Sequence, residues 1–273
     1  MALFGFLNFN KEGPGIEKDA PKKRTFVVFF ETYIRNFWKF LPISIVYSIL
    51  ALPQLTSGLA NVGMTHVARN TARDKHSFGF SDFFETIKKN WKQALPAGII
   101  NTFVYIVLFF DVYFFFIQDT KLSIIALALT FAFLFIFTIM NYYIWTLIIT
   151  FGFNLKTVYK NSFKFVFLNI KNNLICFVCS SIIAVILAVL GYVLLGVLDK
   201  FFMTILLTIL VVLALCYPAF KFLLVQYCVF PAIRKHIIDP YYEAHPDADI
   251  EKRRQLGVYD EDEEDSEEEE LND

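Results

Sequence analysis

Six apolar stretches, at residues 37–52, 55–68, 95–117, 122–150, 174–198 and 201–230, alternate with short or polar connections along the chain. The last four form two pairs, joined by "QDTK" at 118–121 and by "DK" at 199–200. Links that short admit only antiparallel neighbours, so each pair is predicted to be a helical hairpin. The first pair is separated by "PQLTSG", where Pro53 and Gly58 disfavour one continuous helix. Its arms are short, which leaves a full hairpin and a shallow re-entrant one both open. The predicted class is all-α: a polytopic membrane bundle of about six membrane helices in three hairpins.

Polar positions just ahead of these stretches repeat a phrase. Residues 29–42 read "FFETYIRNFWKFLP" and residues 83–96 read "FFETIKKNWKQALP". A third, weaker copy at 162–175, "SFKFVFLNIKNNLI", keeps Phe163, Asn169, Lys171 and Leu174 in register. In the second copy Phe80, Phe83, Phe84, Ile87, Trp91 and Leu95 recur at the spacing of one helix face. Opposite them lie Asp82, Glu85, Lys88, Lys89 and Lys92, and Glu85 precedes Lys89 by the four residues that favour an ion pair. The first copy sets Phe26, Phe29, Phe30, Tyr33 and Phe37 against Glu31 and Arg35, with Trp38 following. An aromatic face opposite a basic one suits a helix lying in the bilayer interface, its cations near anionic headgroups and its Trp at the boundary. Each hairpin is therefore expected to follow an interfacial approach helix, with Arg35, Trp38, Lys88, Lys89, Trp91 and Lys92 as lipid-headgroup contacts.

Composition agrees with a membrane protein. Of 273 residues, 56% are apolar, 19% charged and 33 are Phe, whereas soluble domains carry roughly 45–50% apolar and about 25% charged residues. No compact apolar segment with a small-residue cleavage site occurs in the first 35 residues, so insertion is expected to rest on the internal stretches. Lys and Arg concentrate before residue 40 (seven), at 69–92 (six), at 156–171 (four) and after 230 (five), while the tight links carry only Lys121 and Lys200. Positive residues mark the cytoplasmic side. All four rich regions share it only if the first apolar pair turns back, which gives a plasma-membrane protein with both termini cytoplasmic.

The net charge of −1 conceals an acidic end: residues 239–273 hold 16 of the 26 acids. Such a block cannot collapse into a core, so it is expected to be a disordered tail, either purely solvating or an electrostatic latch onto a basic face. The chain thus divides into a cytoplasmic N-terminal segment (1–25), a membrane domain (26–238) and an acidic tail (239–273).

The stretches "FGFLNFNKEGPGIEKDAPKKRTF" and "LPQLTSGLANVGMTHVARNTAR" resemble the YesL-like family of bacterial membrane proteins, a domain of unknown function. The family's Pro-x-x-Thr-x-Gly-x-Ala signature reads here Pro53, Thr56, Gly58 and Ala60, and its Phe-Phe-x-x-x-Lys-x-Asn helix reads Phe83, Phe84, Lys88 and Asn90. The resemblance covers most of residues 1–235. It implies a Gram-positive-type plasma membrane and a setting beside carbohydrate ABC transporters. It implies no particular reaction or catalytic residues, and the acidic tail departs from the family pattern.

Candidate chemistry is sparse. The Pro53–Ala60 turn is either a helix break resatisfied by Thr56 or a contact for a polar solute or partner helix. Asp111 is the only acid well inside an apolar stretch; it is either a functional charge or a residue reached by water from the outer link. Lys221 is expected near the inner membrane face, its stem snorkelling, and too far from Asp111 to pair with it. Cys176 and Cys179 form a C-x-x-C without a polar surround, and the histidines show no ligand spacing, so no metal or cofactor is expected. No H-E-x-x-H, Walker loop, G-x-S-x-G or intramembrane aspartate pair occurs. The basic residues follow membrane sidedness, which excludes a nucleic-acid interface.

These features lead to a non-enzymatic accessory or regulatory protein associated with carbohydrate uptake, its partners the anionic bilayer and another membrane protein such as a transporter. The alternative is a small-solute transporter or pore. A filled core would favour the first; a water-wide cavity lined by Asn101, Asp111 and Asn141 would favour the second.

Overall fold

The computed structural model describes residues 25–75, 78–118, 120–197 and 200–245, with the backbone alone over 192–197 and 200–210. The 1–24 segment and the acidic tail beyond 245 lie outside the described residues. In order, the helices are α1 (Thr25–Arg35), α2 (Phe37–Ala51), α3 (Ser57–Ala72), α4 (Phe80–Ile117), α5 (Lys121–Thr150), α6 (Leu155–Leu168), α7 (Ile170–Val197), α8 (Lys200–Ile233) and α9 (Asp239–Ala244). A 3₁₀ turn at Gln54–Thr56 joins α2 to α3, and a π-turn at Arg234–Ile238 joins α8 to α9.

Local chemistry sets the helix ends. Thr120 Oγ1 accepts from the Ser123 amide at 3.2 Å to start α5, and Asn154 Oδ1 accepts from the Thr157 amide at 2.9 Å to start α6. Pro53, extended at φ −75° and ψ 103°, stops α2. Thr56 Oγ1 then donates to the Pro53 carbonyl at 2.9 Å and also to that of Leu50, resatisfying acceptors that the break exposes.

Four helices, α4, α5, α7 and α8, are long and apolar enough to cross a membrane. The α2–α3 pair passes the same test only as a unit bent by 120°, so among the described residues the candidate spans number four to five. With 15 and 16 residues, each arm is roughly 23 Å long at 1.5 Å per residue, shorter than the ~30 Å of hydrocarbon. The arms fold back on each other: Tyr47 Oη donates to Asn61 Oδ1 at 2.9 Å, and Arg35 pairs with Asp74 at the open end. The tip abuts α4 partway along, where Thr102 Oγ1 donates to the Gln54 carbonyl at 3.2 Å.

The repeated phrase folds repeatedly. Phe29 and its counterpart Phe83 are both buried, as are Thr32 and Thr86. Asn36 Nδ2 donates to the Thr32 carbonyl at 2.9 Å, and Asn90 Nδ2 to that of Thr86 at 3.0 Å. The expectation of three separate interfacial helices is corrected in two ways. The second copy is the first four turns of the 38-residue α4 itself. The first copy, α1, packs on α8: Phe29 meets Phe220 and Tyr227 edge-on at 5.1 and 5.7 Å. Burying an aromatic ring against protein rings adds edge-to-face contacts that lipid tails do not supply.

Two contiguous cores result. One gathers Phe29, Phe40, Ile43, Met64, Phe83 and Leu223 from α1, α2, α3, α4 and α8. The other centres on α5, with Tyr143, Ile144 and Leu147 against α6 and α8. Between them, polar side chains face inward.

Candidate solute site

Those inward polar side chains line a cavity of about 240 Å³, room for roughly eight waters at about 30 Å³ each. One wall is the break and its flanks: Gln54, Ser57, Asn61 and Thr65, spaced along one face of the 3₁₀ turn and α3, with Tyr47 and Ala51 of α2. Asn101, Thr102 and Tyr105 of α4 form the second wall, and Thr138, Asn141, Tyr142 and Trp145 of α5 the third. Lys221, Phe222 and Val225 of α8 close the ring.

Hydrogen bonds between neighbouring helices hold the walls. Tyr159 Oη of α6 donates to Asn101 Oδ1 at 2.7 Å, Asn101 Nδ2 donates to Asn141 Oδ1 at 2.7 Å, and Asn141 Nδ2 donates to the Phe137 carbonyl at 2.9 Å. This relay fixes both amide orientations, because each oxygen accepts and each nitrogen donates. Gly58 and Gly98 bring α3 and α4 into backbone contact beside it.

The proposed contact residues fall in different places. Thr56 is occupied with the break, Gly58 lies against Gly98, Ala60 is fully buried in packing, and Pro53 is exposed at the tip. None of these lines the cavity; their neighbours Gln54, Ser57 and Asn61, on the adjacent helix face, do. Asp111 lies six residues beyond Tyr105 on α4 and does not line it either. Lys88, Lys89, Trp91 and Lys92 are exposed along the start of α4, and Trp38 is exposed at the start of α2. Arg35, in its pair with Asp74, is also largely exposed.

Lys221 lines the cavity, a position that the sequence alone does not assign to it. It is followed by twelve residues of α8, up to and including Ile233. One signal pointed to the cavity: Thr138, Asn141, Tyr142 and Trp145 recur at i, i+3, i+4 and i+7 in an otherwise apolar helix, and polar groups on a membrane helix turn towards protein or water.

Further along α3, Arg69 is 8% exposed; its Nη1 donates to Thr150 Oγ1 at 2.9 Å and its Nη2 lies 3.4 Å from His66 Nδ1. Arg73 stacks over the Phe230 ring at 3.5 Å. Burial, with Arg69 and Arg234 beside it, pushes the Arg73 guanidinium down to about 9, so it stays charged at neutral pH. These groups tie the end of α3 to α5 and α8. On α7, Cys176 is a buried free thiol, and its C-x-x-C neighbour Cys179 is a half-buried one. Among the described residues no group of three or more His, Cys, Asp and Glu side chains is placed to hold a metal ion.

Over the described residues, fold and site together define an all-α protein with four helices long and apolar enough to cross a membrane and a cavity lined by polar side chains. A family model described as "Protein of unknown function, DUF624" matches residues 43–112, the stretch running from within α2, through the break and α3, to near the end of α4. No curated protein and no solved structure matches the chain.

Proposed function

We propose that the protein binds a small polar solute inside the membrane and moves it across, as a carrier or narrow pore in the plasma membrane. The observation that carries this is the polar cavity walled by a broken helix pair and three long helices. Discontinuous helices meeting such a cavity are the usual construction of a solute site in transport proteins. A filled core at this level would have supported the accessory role; amide, hydroxyl and indole groups ringing an open space support solute binding. The hydroxyl- and amide-rich lining suits a polyhydroxy compound, in keeping with the carbohydrate-uptake setting that the YesL-like resemblance implies. No catalytic role enters this reading.

In the proposed topology, α2–α3 is a re-entrant hairpin and α4–α5 and α7–α8 are spanning hairpins. Both termini and the exposed Lys88, Lys89 and Lys92 then face the cytoplasm and its anionic headgroups.

Cysteine accessibility tests the reading without knowledge of the solute. Asn61→Cys and Thr102→Cys should react with a small membrane-impermeant thiosulfonate in intact vesicles, in a background lacking the native cysteines. Trp introduced at Ser57 should block that reaction. Reactivity no greater than that of a lipid-facing control at Phe103 would show the space is closed to water and would remove the proposal.

A further inference from the structure

The cavity's formal charge is one-sided. Among the described residues, Lys221 is its one lining residue with a formal charge, and no Asp or Glu lines it. No hydrogen bond or ion pair joins the Lys221 ammonium to another described residue. Two further donors are uncommitted in the same way: the Asn61 amide, whose oxygen is taken up by Tyr47, and the Trp145 indole. Several of the acceptors already receive a bond. Asn101 Oδ1 receives Tyr159, Asn141 Oδ1 receives Asn101, and the Gln54 carbonyl receives Thr102 and Ser57.

An ammonium inside an apolar bundle without a counter-ion is costly, and intramembrane cations normally have a partner. Here Asp111 is not placed to serve, since it lies outside the cavity walls. A ligand that brings acceptors and negative charge would satisfy all three donors at once. Hydroxyls on that ligand would meet Thr102, Ser57 and Asn141, which can still give or take a bond.

Resting on the solute-binding reading above, we infer that the solute is a small organic anion, a hydroxycarboxylate of about six carbons or fewer, held by Lys221 with Asn61 and Trp145. Lys221 then acts as the specificity residue, setting anion against neutral polyol. A charge-assisted hydrogen bond to one carboxylate is worth about a tenfold or greater preference over the matching alcohol.

Gluconate and sorbitol form a test pair, alike except that a carboxylate replaces a CH₂OH. The full-length protein, purified in mild detergent, would be titrated with lactate, gluconate, sorbitol and glycerol at constant sodium and ionic strength. Thermal unfolding and Trp fluorescence would be followed together. Lactate or gluconate should raise the unfolding midpoint with an apparent affinity at least tenfold above sorbitol. Lys221→Gln should abolish that preference, and Lys221→Arg should keep it. Equal response to gluconate and sorbitol, unchanged in Lys221→Gln, would overturn the anion assignment and leave solute binding standing. Silence from all four compounds, together with unreactive cysteines at positions 61 and 102, would overturn both. If Lys221→Gln does not fold, the wild-type gluconate-to-sorbitol ratio alone decides.

Discussion

Gly58 of α3 and Gly98 of α4 meet backbone to backbone: a Cβ built on Gly58 would stand 2.1 Å from the Ala94 carbonyl oxygen and 2.8 Å from the Gly98 Cα. No side-chain rotation relieves that clash, because the obstructing atoms are main chain. This contact sets how near the broken segment stands to α4, and thereby the width of the cavity between Ser57 and Thr102. Gly58→Ala should destabilise the fold by about 1–3 kcal/mol through overpacking, and Gly58→Leu by more. Unfolding followed by circular dichroism in detergent would measure it. Wild-type stability in Gly58→Leu would mean that α3 and α4 do not touch there.

The relay Tyr159–Asn101–Asn141 predicts coupled losses. Asn101→Leu leaves the Tyr159 hydroxyl only the Ala97 carbonyl, at 3.3 Å, and strands the Asn141 oxygen, and should cost about 1–3 kcal/mol. The double variant Asn101→Leu with Asn141→Leu should cost less than the two singles added, with a coupling of roughly 0.5–3 kcal/mol. Strict additivity would show that the two amides do not interact.

Arg69 predicts a further stability effect at the basic end of the bundle. Replacing it by Met keeps the stem but removes the donors to Thr150 and the contact with His66. The expected loss is about 1.5–3 kcal/mol, the range for a charge-assisted hydrogen bond. Thr150→Val in the same background should then add little, and a double-mutant unfolding cycle would check this.

The proposed topology predicts a labelling pattern. Cysteines at Lys92 and Lys156 should react with an impermeant maleimide only from the cytoplasmic side, and one at Gln118 only from the opposite side. Tags on the two termini should be found on one face. Protection of Lys92 and Gln118 on the same side would contradict the crossing of α4.

Much of the architecture was legible in the order of apolar and polar residues. Long runs in α4, α5, α7 and α8 need no tertiary information to be recognised, because the length that spans hydrocarbon is a property of the helix alone. Pro53 and the short flanking runs announced a break for the same local reason. What the pattern could not decide was how deep the broken pair reaches and which of its faces turns inward. Depth depends on where Gln54 meets Thr102, a contact between residues 48 apart in sequence. Phe29 likewise read as a lipid-facing ring, since lipid and protein interiors are equally apolar and composition does not separate them; only packing against Phe220 and Tyr227 did. Lys221 was visible as a charge in a greasy helix, but its significance came from the Asn, Trp and Tyr side chains that four other segments bring around it. Periodicity along one helix reports that helix's own faces, whereas a cavity exists only where several helices fail to fill the space between them.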